Sequence, residues 1–227
     1  MIHYLFDIDG TLLKAGGAGA RSLSKVMLAR YGVNDATRGI AAAGRTDPAI
    51  VRDMFERALG RLPDVIELDE VIADYLDFLD RDLGGAESTL RVLPGAATSL
   101  QWLAARPDVR VAIATGNVRR GAHIKLRHAA LSDHFDLDRT GGYGCDSPIR
   151  AELVARAVER AACSPDDHVI VVGDTVHDIT AALACNARCV AVTTGGTSAD
   201  VLTKAGACAV LPDVGALVEW HTSEFAA

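Results

Sequence analysis

The chain has 227 residues, enough for one large domain or for one domain carrying a smaller insert. At 49% hydrophobic and 23% charged it can bury a core, which excludes wholesale disorder. A formal net charge of −7 sets its long-range field against nucleic acid and anionic membrane, while a small anionic substrate stays open because a metal ion or one or two side-chain cations can reverse the potential locally.

The chain starts with a short apolar run, His3 to Phe6, that reads as a buried strand ending at Asp7. Acids come directly after it, so it is not expected to be a signal peptide. No uncharged stretch is long enough to span a bilayer, and a cytoplasmic location is expected. Gly16, Gly17 and Gly19 then make a flexible stretch, and from Ala20 to about Asp82 the pattern is helical. Ile50, Val51, Met54, Phe55 and Leu59 form one apolar stripe behind Asp47-Pro48, and Val71, Ile72, Tyr75, Leu76 and Leu79 form another.

After Gly84 and Gly85 the rhythm changes. A helix near Ala96 to Ala105 comes after Pro94-Gly95, then a strand Val109 to Ala114, a helix from about Val118 to Ala130, and a short strand near His134 to Leu137. Pro148 to Ala162 reads as a helix, Val169 to Val172 as a strand, Val176 to Cys185 as a helix and Arg188 to Val192 as a strand. A helix over Ser198 to Ala205, a weak strand over Cys208 to Val210 and a helix over Val214 to Trp220 complete the pattern. Strands alternating with helices predict an α/β fold with a doubly wound parallel sheet, interrupted after its first strand by a helical block. With aromatics at 5%, Ala, Val and Leu must supply most of the core. The five cysteines (Cys145, Cys163, Cys185, Cys189 and Cys208) have no C-x-x-C spacing; Cys185 and Cys189 are four apart but are read as small core residues in different elements and not as a zinc site.

Four features fall where predicted strands end, the edge at which open α/β sheets bind ligands. Asp7 and Asp9 sit two apart beyond the first strand, with Gly10 and Thr11 behind them. Such a pair is expensive without a compensating cation, and with one a carboxylate can attack while the other carries a proton. Thr115, Gly116 and Asn117 offer a hydroxyl and main-chain amides suited to phosphate oxygens. Arg150 is a cation at a helix start, suited to an anion. Asp174 and Asp178 add hard oxygen donors that favour Mg²⁺ over zinc. Each has an ordinary reading taken alone: a turn, a loop, a helix cap.

Together, and in this order, D-x-D-G-T and G-D-T-x-x-D resemble the haloacid dehalogenase superfamily, and in particular its phosphoglycolate phosphatase-like group, over essentially the whole chain. The resemblance implies a Rossmann-like core formed by residues 1–14 and 91–227 and a small helical cap domain formed by residues 15–90. It makes Asp7 the nucleophile that becomes an aspartyl phosphate and Asp9 the general acid and base. Thr115, Gly116 and Asn117 become the phosphate-holding motif. Mg²⁺ would be held by Asp7, Asp174, the Asp9 carbonyl and, directly or through water, Asp178. One position departs: the family usually places lysine where Arg150 stands. Lys125 is a rival by residue type, but it falls in the helix directly after Thr115 and is expected to be a solvated charge. In the cap, Gly44, Arg45, Thr46 and Asp47 resemble a segment lying over the site. Arg45 and Thr46 become specificity candidates there, and Thr46 or Asp47 also suits a helix cap before Pro48. His177 is given no catalytic role.

The expected activity is hydrolysis of a small organic phosphate monoester, with a phosphoglycolate-like substrate leading over a sugar phosphate or nucleotide and a monomer or homodimer as the working unit. A sugar-phosphate mutase would use the same two acids of the first motif. A dehalogenase would not need Asp9, a retired binding protein would have a damaged acid set, and a phosphonate-cleaving relative would need a cap lysine better placed than Lys14 or Lys25.

Overall fold

Every residue of strand β1 (Ile2–Phe6) is buried, as a strand covered on both faces of a parallel sheet must be. The computed structural model describes residues 1–226. After β1 come the short strand β2 (Leu13–Lys14), helices α1 (Ala18–Tyr31), α2 (Asp47–Leu59) and α3 (Val65–Gly84), and strand β3 (Arg91–Val92). The alternating part is next: α4 (Ala96–Ala104), β4 (Val109–Ile113), α5 (Arg119–His128), α6 (Arg150–Arg160), β5 (His168–Gly173), α7 (Val176–Ala184), β6 (Arg188–Val192), α8 (Ala199–Lys204), β7 (Ala209–Leu211) and α9 (Leu217–Glu224).

The main sheet runs in the order β4-β1-β5-β6-β7 with every pairing parallel. Alternate residues of its strands serve two cores. Tyr4, Phe6, Ile170, Val172, Val190 and Val192 face one. Leu5, Ala112, Val171, Cys189 and Ala191 face the other, where smaller side chains meet the buried residues of α6 and α7.

The helical block leaves and rejoins this frame through a two-stranded antiparallel ribbon, in which Leu13 pairs with Val92 and Lys14 with Arg91. Its helices start where capping chemistry allows. The Thr46 hydroxyl accepts from the Ala49 amide with Pro48 in the first turn, and Asp64 and Glu67 form a reciprocal capping box. Helix α3 packs on α5, where buried Leu76 lies against Gly121. Ion pairs Arg120–Asp77 (2.8 Å) and Arg127–Asp80 (2.6 Å) rim that contact. Exposed pairs of this kind contribute little each, so the apolar seam carries the docking.

The strand expected near His134 to Leu137 is absent. That stretch is a 3₁₀ turn at Ser132–His134 followed by irregular chain. Phe135 and Leu137 are buried by packing on the core, which produces a strand-like alternation without any strand partner. The chain meets the sheet edge a little later, where Gly142 bridges Ala114. None of the cysteines is paired, and Cys189 is a buried core residue. No helix among the described residues is long and apolar enough to cross a membrane.

Candidate active site

Register alone brings three of the four sequence features to one place. Phe6 pairs with Ile113 on one side and with Val172 on the other. Asp7 therefore emerges level with Ala114 and Gly173, and Thr115 and Asp174 come immediately after on the flanking strands. The Asp7 amide still donates to the Val172 carbonyl (2.9 Å), so the nucleophile candidate stands on the last rung of the ladder and not on a free loop.

Asp7, Asp174 and Asp178 are all buried, and each offers a carboxylate oxygen within 4.8 Å of the others. Space for Asp174 depends on glycine. A Cβ at Gly10 would lie 2.7 Å from Asp174 Oδ2, and one at Gly195 would lie 1.6 Å from it. Gly10 also turns with φ +85, a conformation that other residues rarely adopt. The Thr11 hydroxyl donates to Asp174 Oδ1 at 3.2 Å. Burial pushes the Asp174 carboxyl well up, with the Asp7 and Asp178 charges adding to it. Burial also raises Asp7, against the pull of the Arg150 guanidinium. One guanidinium does not offset this much buried negative charge, and the donors are hard oxygens, so the cluster suits a divalent cation.

Asp178 is committed on both sides. It forms a capping box with Thr175 at the start of α7, where its Oδ2 accepts from the Thr175 amide (3.0 Å) and hydroxyl (2.7 Å). Its Oδ1 accepts from Nε (2.9 Å) and Nη2 of Arg150. Arg150, at the first turn of α6, is 8% exposed, and its Nη2 also lies 3.0 Å from Asp7 Oδ1. The arginine that replaces the expected lysine thus spans the nucleophile candidate and the acid that anchors it. Its Nη1 reaches the Gly44 carbonyl of the cap at 3.3 Å.

Beyond β4, Thr115 and Asn117 are buried and joined, Asn117 Nδ2 donating to Thr115 Oγ1 at 2.9 Å. Gly116 is the close contact with the helical block. A Cβ there would lie 2.1 Å from the Arg45 carbonyl, and the Gly116 carbonyl accepts from the Asp47 amide at 2.9 Å. Asp47 Oδ2 accepts from the Val118 amide (2.9 Å), and burial raises this carboxyl to about 6. Thr46 is buried and serves as the α2 cap, while the Arg45 guanidinium pairs with Asp53 on α2 and also borders the cavity. His177 is exposed and lies beneath Gly44, where a Cβ would meet its Cδ2 at 2.5 Å.

Lys125 is the correction. Its ammonium is not solvated: the residue is 5% exposed, and Nζ donates to Asp9 Oδ2 and to Asn117 Oδ1, both at 2.6 Å. The helical pattern carries a signal for it, because Lys125 falls on the same α5 face as buried Val118, Ala122 and Ala129. A lysine on an apolar stripe must find a buried partner. Tyr75 of α3, a core residue by its place in the second apolar stripe, also borders the site.

These groups line a cavity of about 440 Å³ between the main sheet and the helical block. Asp7, Asp9, Thr115, Asn117, Lys125 and Arg150 form its charged and polar floor, and Ala20, Leu23, Ile40, Ile50 and Tyr75 lie on the cap side. The floor can hold a metal–phosphate pair, present a carboxylate for attack, and keep a second carboxylate beside it.

The chain is similar to several known proteins. An alignment of 196 residues, covering 84% of this chain and 69% of the relative, shows 27% identity to a phosphoglycolate phosphatase of Pseudomonas fluorescens. In overall fold the chain is similar to CbbY from Rhodobacter sphaeroides, solved in complex with phosphate (TM-score 0.72, 19% identity, 96% of each chain covered). It is also similar to a protein provisionally assigned as a beta-phosphoglucomutase from Bacteroides vulgatus (TM-score 0.72, 19% identity, 99% of this chain and 89% of that one). The model of haloacid dehalogenase-like hydrolases matches residues 3–186, the span from β1 through α7, and the chain belongs to that family.

Proposed function

We propose that the protein is a Mg²⁺-dependent phosphatase that hydrolyses a small phosphate monoester through a phosphoryl group carried on Asp7, a phosphoglycolate-like metabolite being the leading substrate. The observation that carries this reading is the placement of Asp7. Its carboxylate is fixed at the end of β1, on the floor of a capped cavity, 3.0 Å from the Arg150 guanidinium and two residues from a second carboxylate. The family relation and the phosphoglycolate phosphatase relative support it.

In this reading Asp7 attacks phosphorus in line while Thr115, the Gly116 amide and Arg150 bind the peripheral oxygens. Asp9 gives its proton to the departing ester oxygen as that P–O bond breaks. It then takes a proton from water as water attacks the phosphoryl-aspartate and frees phosphate and Asp7. Bound Mg²⁺, held by Asp7, Asp174 and the Asp9 carbonyl with Asp178 in support, would neutralise the charge that two anions bring together. The same pair of acids would serve a phosphomutase, and the fold shared with the mutase-assigned protein from Bacteroides vulgatus keeps that as the second reading.

The test is phosphate release from a panel of small esters, phosphoglycolate included, with Mg²⁺ or with EDTA, for wild type and Asp7→Asn. Release that needs Mg²⁺ and disappears in the variant is expected. Transfer of phosphoryl groups between sugar hydroxyls without net release would favour the mutase, and no turnover of either kind would overturn both.

A further inference from the structure

We infer that Lys125 is a positioning residue for Asp9: with Asn117 it clamps one oxygen of that carboxylate so that the other faces the cavity as the proton-transfer atom. The inference rests on the phosphatase reading above and adds to it a residue outside the motifs that define the family resemblance.

Three hydrogen bonds close a ring. Lys125 Nζ donates to Asp9 Oδ2 (2.6 Å) and to Asn117 Oδ1 (2.6 Å), and Asn117 Nδ2 donates to the same Asp9 Oδ2 (2.8 Å). The ring fixes which end of the Asn117 amide faces which partner, since an ammonium can only donate. It also divides the Asp9 carboxylate. Oδ2 accepts from both donors, whereas Oδ1 accepts from none among the described residues, and Asp9 borders the cavity. A carboxylate that must deliver a proton to a leaving oxygen and later collect one from water needs a free oxygen held at a constant angle. Two donors on the opposite oxygen supply that.

Two other cations of α5 behave differently. Arg120 and Arg127 are exposed and pair with Asp77 and Asp80 of α3. Lys125 alone among these three points inward, and it is held on the catalytic loop and not on the cap. Asn117 continues the clamp to the phosphate-binding side, because its Nδ2 also donates to Thr115 Oγ1 at 2.9 Å. The general acid and the phosphate site are therefore held by one side chain, which Lys125 in turn anchors.

A residue that acts through proton donation leaves a signature that a merely structural one does not. An alkyl leaving group needs a proton as its P–O bond breaks, and p-nitrophenolate needs almost none. The step that reports this is kcat/KM, which covers events up to formation of the phosphoryl-aspartate. The experiment compares wild type, Lys125→Met, Asp9→Asn and the double variant on the best alkyl phosphate of the panel and on p-nitrophenyl phosphate. The expected result is a kcat/KM loss on the order of 100-fold for Lys125→Met with the alkyl ester and less than about fivefold with the aryl ester. In the Asp9→Asn background the same change should add almost nothing, because the group through which Lys125 acts is already gone. Should Lys125→Met fail to fold, Lys125→Arg takes its place with the same contrast between esters expected, since the longer, planar cation cannot hold both acceptors of the ring as Nζ does.

Equal losses on the two esters, or full additivity with Asp9→Asn, would overturn the inference and leave Lys125 as a general phosphate-binding or structural cation. If wild type releases phosphate from neither ester, the phosphatase reading itself fails and this inference falls with it. If wild type hydrolyses both and the contrast is missing, only the positioning role fails.

Discussion

Nη2 of Arg150 lies 3.0 Å from Asp7 Oδ1 and also reaches Oδ1 of Asp178, so one buried guanidinium joins the end of β1 to the first turn of α7. Removing it would strand two buried carboxylates. Breaking a buried pair by deleting one partner costs about 3–5 kcal/mol, far more than the pair contributes in net terms. Arg150→Met is therefore expected to lower the urea midpoint sharply and to abolish phosphate release. Arg150→Lys keeps the charge but has only one nitrogen to share among the acceptors, and it should recover most of the stability with a smaller fraction of the activity. Equilibrium melts of the two variants beside wild type decide this. Equal stability of Arg150→Met and wild type would show that the acids are not held by this cation.

Metal dependence should be visible without any substrate, and its pH dependence has a definite sign. Burial holds the Asp174 and Asp7 carboxyls above their unfolded value of 3.8. The metal-free native state then binds more protons than the unfolded chain between that value and the raised one, so these two groups make stability fall as pH rises through the window. A divalent cation must displace those protons, and it binds better as they leave. The gain in Tm on adding excess Mg²⁺ is expected to be small near about pH 5.5 and to grow by several degrees near about pH 8.5. A gain independent of pH would mean that the buried acids do not hold the ion.

Gly195 offers a purely steric test of the same cluster. Its backbone does not lie in the left-handed region, so alanine is conformationally acceptable there, but the added Cβ would sit 1.6 Å from Asp174 Oδ2. Asp174 must move. Gly195→Ala is expected to leave the circular dichroism spectrum intact while weakening Mg²⁺ binding at least about tenfold, because a ligand carboxylate displaced by even an ångström loses its geometry. Titration calorimetry with Mg²⁺ on the folded variant measures it, and unchanged affinity would remove Asp174 from the ligand set.

The sheet and the acids are legible in the sequence for a single physical reason: strands buried on both faces are continuous apolar runs, and the residues just past their C-terminal ends form the functional edge. Val169 to Val172 and Arg188 to Val192 can hardly be misread, and Asp7, Thr115 and Asp174 are found at the ends of their strands. Residues whose role depends on tertiary contact are less legible. Phe135 and Leu137 mimic a strand because they pack on the core from an irregular segment. The ribbon of Leu13–Lys14 with Arg91–Val92 is too short to leave a pattern and joins residues far apart in sequence. Lys125 runs against its residue type: a lysine by itself says solvent, while its place on the buried face of α5 says otherwise.

Tyr75 yields the last expectation. It projects from α3 and is 1% exposed, and its hydroxyl makes no hydrogen bond among the described residues. It borders the cavity, and a Cβ at Gly19, also on the cavity wall, would lie 3.6 Å from that hydroxyl. Burial raises the phenol well above its usual value, with Asp47 and Asp9 adding to the shift, so it stays protonated and can donate. A donor on the cavity wall with no protein partner is available to a substrate oxygen when one arrives. Tyr75→Phe is accordingly expected to leave Tm unchanged. Loss of one hydrogen bond of about 1 kcal/mol should raise KM for the best ester about fivefold while kcat stays within a factor of two or so. That split separates recognition of the leaving group from the chemistry on the floor of the site. A fall in kcat with KM unchanged would instead place Tyr75 in the closing of the cap over the reacting atoms.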